Sequence, residues 1–252
     1  MRKIALGLAL ALLAAPALAD TASLFRDGRF AEAAQAGAKE ATPEALVLAA
    51  RSTLAIAAYR TSDKDRALQL CGDAVRLADT ALAKRPAYPP ALLQKGIAIG
   101  YIAKLHRSPG EAKQARKLMD QARAADPQNA VAWAALGGWH GESVATLGGL
   151  IAGTVLGAKK SESIRAFETA LAKDPQGSEV PTFYAFTLLA LDADNAPRAR
   201  ELLSRAVQAT PRDGFEALLK RQAEQVLPLL QKNDVAGARA LAKRLQPFGT
   251  IA

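Results

Sequence analysis

Residues 163–175 read SIRAFETALAKDP, and the arrangement Ser163, Phe167, Ala170, Pro175 within them recurs three more times along the chain. The other copies are Ala74, Ala78, Ala81, Pro86, then Ala115, Met119, Ala122, Pro127, and finally Ala199, Leu203, Ala206, Pro211. Positions separated by four and then three residues share one face of an α-helix, so each copy places small or packing side chains on a single stripe. Small residues there let a neighbouring helix come close. The proline five residues beyond the last alanine ends the segment, because it lacks a backbone N–H and its ring blocks the preceding turn. Each copy therefore reads as one helix of a helical hairpin, with a partner helix following the proline.

The clearest partner is residues 130–140, AVAWAALGGWH. Trp133, Leu136, Gly137 and His140 stand at the spacing that tetratricopeptide repeats give to Trp, Leu, Gly and Tyr. Leu92, Gly96 and Ile99 offer a weaker copy upstream. The four prolines lie 41, 48 and 36 residues apart, against a usual period of about 34. The first excess is expected in a loop at His106–Gly110, and the larger one between His140 and Ser161. Gly28, Phe30 and Ala33 suggest a degenerate N-terminal unit, while Phe215–Gln231 with Val235–Leu245 reads as the closing unit. Strand signals are nearly absent, and Ala, Leu, Arg and Gln dominate. The expected fold is all-α, a right-handed α-solenoid of irregular tetratricopeptide-type hairpins over residues 20–252.

Residues 1–19 read as a signal peptide. Arg2 and Lys3 precede an apolar run from Ile4 to Ala15, and Ala17-Leu18-Ala19 supplies small residues for cleavage after Ala19. The run is far shorter than the roughly 20 apolar residues of a membrane-spanning helix. A mature chain would start at Asp20 in the periplasm, with 31 basic residues against 24 acidic ones. An exported basic protein meets phospholipid headgroups, envelope polymers or acidic protein faces rather than nucleic acid. Its charges are scattered, as on a solvated helical surface. Cys71 is the single cysteine, so the chain has no intramolecular disulfide and the fold rests on its apolar core. Cys71 shares an apolar stripe with Leu68, Ala74 and Val75 and reads as a small core residue, with an intermolecular disulfide as the alternative.

The stretch from Leu92 to Pro175 resembles the regulator-of-microtubule-dynamics family, whose conserved domain is an irregular tetratricopeptide array. Leu136-Gly137 with Trp139 looks like that family's Gly-x-Trp helix, followed by a long apolar continuation and the segment holding Phe167, Ala170, Asp174 and Pro175. The resemblance implies an irregular helical-repeat array. It makes lipid handling transferable, because one member of the family binds phospholipid. A microtubule role does not transfer to a chain with an export signal and a glycine-rich version of the extension. A looser resemblance is to the helical-hairpin component of periplasmic solute-uptake systems.

No cofactor, metal site or catalytic constellation is expected. His106 and His140 are the only imidazoles and lack ligands at metal spacing. His140 stands at the repeat's Tyr-like packing position. Gly-x-Ser-x-Gly, Walker-type and Ser-x-x-Lys motifs are absent. Residues 143–158, SVATLGGLIAGTVLGA, carry no charge and space Gly149, Gly153 and Gly157 by four. The favoured reading is a buried, tightly packed helix, with an apolar lid or a membrane-dipping element as alternatives.

The register places Leu93, Ile97 and Tyr101, and then Ala134, Gly138 and Glu142, on the concave face. That face lacks the Lys, Arg and Asn donors that a peptide carboxylate requires. It suits an apolar ligand or partner helix, although the same residues also suit a tightly wound core. Two functions follow: a scaffold for an envelope protein assembly, favoured because repeat arrays mostly present surfaces to proteins, or a carrier or sensor of a lipid or other apolar molecule. Peripheral membrane contact is a further expectation.

Overall fold

Each of the four recurring segments is a helix that stops where its proline requires. Arg85, Asp126 and Asp174 each stand before a proline, and their backbones have φ/ψ of −136/93°, −135/83° and −129/77°. Proline disfavours the helical region for the residue before it, so an arginine and two aspartates take one extended shape. The computed structural model describes residues 20–251; the signal peptide expected at residues 1–19 lies outside them.

In chain order the helices are α1 (Thr21–Arg26), α2 (Phe30–Glu40), α3 (Pro43–Tyr59), α4 (Lys64–Lys84), α5 (Pro89–His106), α6 (Pro109–Ala125) and α7 (Ala130–Leu147). A single turn, α8 (Gly149–Ile151), runs into a π-helical turn, Ala152–Leu156. Then come α9 (Lys160–Lys173), α10 (Glu179–Leu191), a 3-10 turn (Ala193–Asn195), α11 (Ala196–Gln208), α12 (Gly214–Gln231) and α13 (Val235–Leu245). No strand occurs among the described residues.

The helices pair as α3/α4, α5/α6, α7/α9, α10/α11 and α12/α13, an all-α solenoid of helical hairpins preceded by the short helices α1 and α2. The helix after each proline packs on both neighbours, as α5 does on α4 and α6, so it serves two hairpins at once. This explains the patterns. α5, α7 and α10 lie between layers and are apolar nearly all round, whereas α6, α9 and α11 show one apolar stripe and a charged outer face. Side-chain caps begin α3, α4, α6, α7, α12 and α13, from Thr42, Asp63, Ser108, Asn129, Asp213 and Asp234.

Two expectations are corrected. The first excess of the repeat is not a loop: α5 ends at His106 and α6 begins at Pro109, so the added residues lengthen the two helices. Residues 143–158 are not one buried helix. α7 stops at Leu147 because Gly148 has φ 77° and ψ 154°, a conformation open to glycine and incompatible with helix. The chain then makes only α8 and the π turn, closed by Gly157 at φ 69°. Gly149, Gly153 and Gly157 therefore do not form a helical packing stripe.

The array also closes on itself. α1 touches α12, where a Cβ on Gly214 would stand 2.2 Å from the Cα of Gly28. Nearby, Arg51 on α3 donates to Glu179 at the start of α10 over 2.7 Å. The Arg51 guanidinium lies 5.2 Å from the ring centre of Phe25 and 5.1 Å from that of Phe215. First and later repeats are thus joined by a paired charge set among aromatic rings.

Candidate functional site

The residues expected to line an inner groove fall into different surroundings. Leu93 is 3 % exposed and belongs to the core with Met119, Leu136 and Trp139. It is core rather than groove lining. Ile97 is half-buried and bridges two clusters of the core. Tyr101 is half-buried against Phe248, its ring edge-on at a centroid distance of 5.0 Å. Ala134 is buried in a separate cluster with Phe167, Tyr184 and Leu203. Gly138 is half-buried with open space at its Cβ position. Glu142 is half-buried and pairs with Lys104 at 2.7 Å. The six residues do not line one open cleft.

The reason is the C-terminal tail, whose role sequence reading missed. After α13 the chain turns inward, and the Phe248 N–H donates to the Ala58 carbonyl at 3.0 Å. Gln246 donates to the Phe186 carbonyl at 3.2 Å. Phe248 is 5 % exposed, and Ile251 packs in the same cluster, with Tyr59, Cys71 and Tyr101. Phe248 adopts φ 63°, an unfavourable left-handed conformation for a bulky residue. Its burial and hydrogen bond hold it there. The hollow that Tyr101 faces is filled by the chain's own tail. Burial pushes the Tyr101 and Tyr59 phenols well above their ordinary range, and pushes the Cys71 thiol up to about 12. Cys71 is therefore a protonated packing residue, poorly suited to thiolate chemistry.

Two of the repeat-signature residues, Gly137 and Phe167, form the contact between the two helices of the third hairpin. A Cβ on Gly137 would stand 2.7 Å from the Phe167 ring, so α7 and α9 touch through glycine. Phe167 stacks on Tyr184 with centroids 4.8 Å apart and planes 8° apart. Ala170 is buried in the same cluster and Leu136 in the neighbouring one. Trp133 is half-buried and donates its indole N–H to the Pro127 carbonyl at 3.0 Å. Trp139 donates to the Ala112 carbonyl at 2.9 Å, under the Arg116 guanidinium. Pro175 is exposed, and its carbonyl accepts from Arg205 at 2.5 Å.

His140 is buried edge-on against Trp139, and its Nδ1 accepts the backbone N–H of Lys159 at 3.2 Å. Burial first, and then the nearby Arg116 charge, hold its pKa down to about 4. It is neutral near pH 7, as an acceptor at Nδ1 must be. Its contact fastens the exit of the turn after α7 to that helix. Leu147 at the end of α7 and Leu150, Ile151 and Val155 on that turn are exposed, while Ala152, Leu156 and Ala158 are buried. Among the described residues, no group of three or more His, Cys, Asp and Glu is placed to hold a metal.

The model of the family described as regulator of microtubule dynamics protein 1-3 matches residues 27–231 of this chain. The chain belongs to this family. The match spans the array from the α1–α2 turn to the end of α12, and the tail that fills the inner face lies beyond it. A solved structure of a thermophilic TPR protein from Thermus thermophilus is similar in fold. It superposes with a TM-score of 0.54 at 20 % identity, covering 79 % of this chain and 92 % of that one. No curated protein matches the sequence. In this family member the irregularity of the array is concentrated between α7 and α9.

Proposed function

We propose that this family member is a non-catalytic scaffold of the bacterial cell envelope, exported to the periplasm with residues 1–19 removed, which holds a protein assembly together. The observation that carries the reading is the filling of the inner face by the tail around Phe248. With that hollow occupied, the outer helices are what the molecule offers to a protein partner. Repeat arrays generally work in this way, by presenting extended surfaces. The charged outer faces of α6, α9 and α11 suit a polar interface rim.

The second reading, a carrier or sensor of a lipid or other apolar molecule, places its ligand around Tyr101. It requires the tail to leave, because Phe248 and Ile251 occupy that space. Cross-linking in intact cells, followed by purification and mass analysis, separates the two readings. The scaffold reading expects discrete adducts with envelope proteins. Recovery of the chain without protein adducts, carrying lipid in its place, would overturn it.

A further inference from the structure

Leu147, Leu150, Ile151 and Val155 are the exposed large apolar side chains among the described residues; Leu147 ends α7 and the other three stand on the turn that joins it to α9. Leu150 is 85 % exposed and Ile151 54 %. Scattered surface hydrophobes need no explanation, but a group on one projecting turn does. The exposure does not come from a loosely attached segment. Arg116 donates to the carbonyls of Leu156 and Gly157 at 3.3 and 3.5 Å, and His140 accepts from Lys159.

Lys159 and Lys160 follow at once and are exposed. They share a shallow depression with Val144, Leu150 and Thr154. The Lys159 ammonium has no ion-pair partner among the described residues, and Lys160 reaches Asp192 only at 3.9 Å. A cationic pair thus flanks an apolar tip.

We propose that this turn docks the protein on an anionic phospholipid surface, with Leu150 and Ile151 entering between headgroups while Lys159 and Lys160 meet the phosphates. A bilayer fits better than a protein partner on area. Stable protein interfaces bury roughly 1,200–2,000 Å², more than these four side chains offer. An interfacial element needs only shallow apolar insertion and nearby basic residues. No helix among the described residues is long and apolar enough to cross a membrane. The membrane contact is separate from the scaffold reading, which concerns protein partners.

The test is co-sedimentation of the mature chain, residues 20–252, with vesicles of phosphatidylcholine alone or mixed with phosphatidylglycerol. Binding is expected to the mixed vesicles and to weaken with salt, since each lysine contributes about fivefold near an anionic surface. Leu150→Ser with Ile151→Ser should weaken it at least about tenfold, with unchanged circular dichroism because both side chains are exposed. Lys159→Gln with Lys160→Gln should weaken it and flatten the salt dependence. Failure of the wild-type chain to sediment with the mixed vesicles would overturn the proposal. So would undiminished binding by the Leu150 and Ile151 double variant. A wild-type dimer that the apolar variants convert to a monomer, with vesicle binding unaltered, would assign the turn to self-association instead.

Discussion

Arg51 and Glu179, 128 positions apart in the chain, form an ion pair 2.7 Å long that joins the first full hairpin to the fourth. Glu179 is buried, and that burial raises its pKa while the Arg51 charge pulls it back. Arg51→Ala leaves the carboxylate buried and uncompensated, which should cost about 3–5 kcal/mol at neutral pH. A carboxyl whose folded pKa is raised binds its proton more tightly in the folded state, so the deficit should shrink as pH falls. Urea titrations of variant and wild type at pH 7 and 5 check both the size and the sign.

Gly137 and Gly138 are adjacent but face different surroundings. Gly137→Ala drives a methyl into the Phe167 ring and should destabilise by about 1–3 kcal/mol through overpacking. Gly138→Ala meets nothing within 4 Å and should stabilise α7 by up to about 1 kcal/mol. Opposite shifts of the melting temperature are expected.

His140 makes the fold sensitive to acid. Its folded pKa of about 4 lies below the ordinary 6.5. The neutral form's stabilisation is therefore complete above about pH 6.5 and is lost as pH falls towards 4, on the order of 2–3 kcal/mol in all. His140→Gln should flatten the stability profile across that window. A profile unchanged by the substitution would mean that His140 titrates normally.

Phe248 locks the tail into the array. Phe248→Ala should cost about 3 kcal/mol, the scale of removing a buried phenyl ring from a core. Hydrogen exchange should then quicken at the ends of α3 and α5, around Ala58 and Tyr101, before it quickens in α10. Uniform quickening across the chain would place the effect on global stability instead.

The repeated helices were legible because their physics is local. A stripe of Ala74, Ala78 and Ala81 followed by Pro86 encodes a face and a stop within a dozen residues. The closing unit expected at Phe215–Gln231 and Val235–Leu245 matches α12 and α13 to within one residue. The inner face was not legible, because the closure of the array sets it. Nothing near Leu93 or Tyr101 in the chain announces that Phe248 will cover Tyr101. The break after Leu147 was hidden by composition, since an uncharged stretch with three spaced glycines matches a packed helix as well as an exposed turn. One signal was available: Arg51 is the only charge between Ala45 and Tyr59, and a lone charge on a helix with so little polar surface implies a distant partner.

Native mass spectrometry of the protein taken directly from its compartment tests the central claim, an exported scaffold whose inner face is filled by its own tail. The predicted result is a chain beginning at Asp20, associated with a second protein and carrying no lipid in its interior. A chain retaining Met1, or one holding a lipid-sized ligand that deletion of residues 246–252 increases, would contradict it.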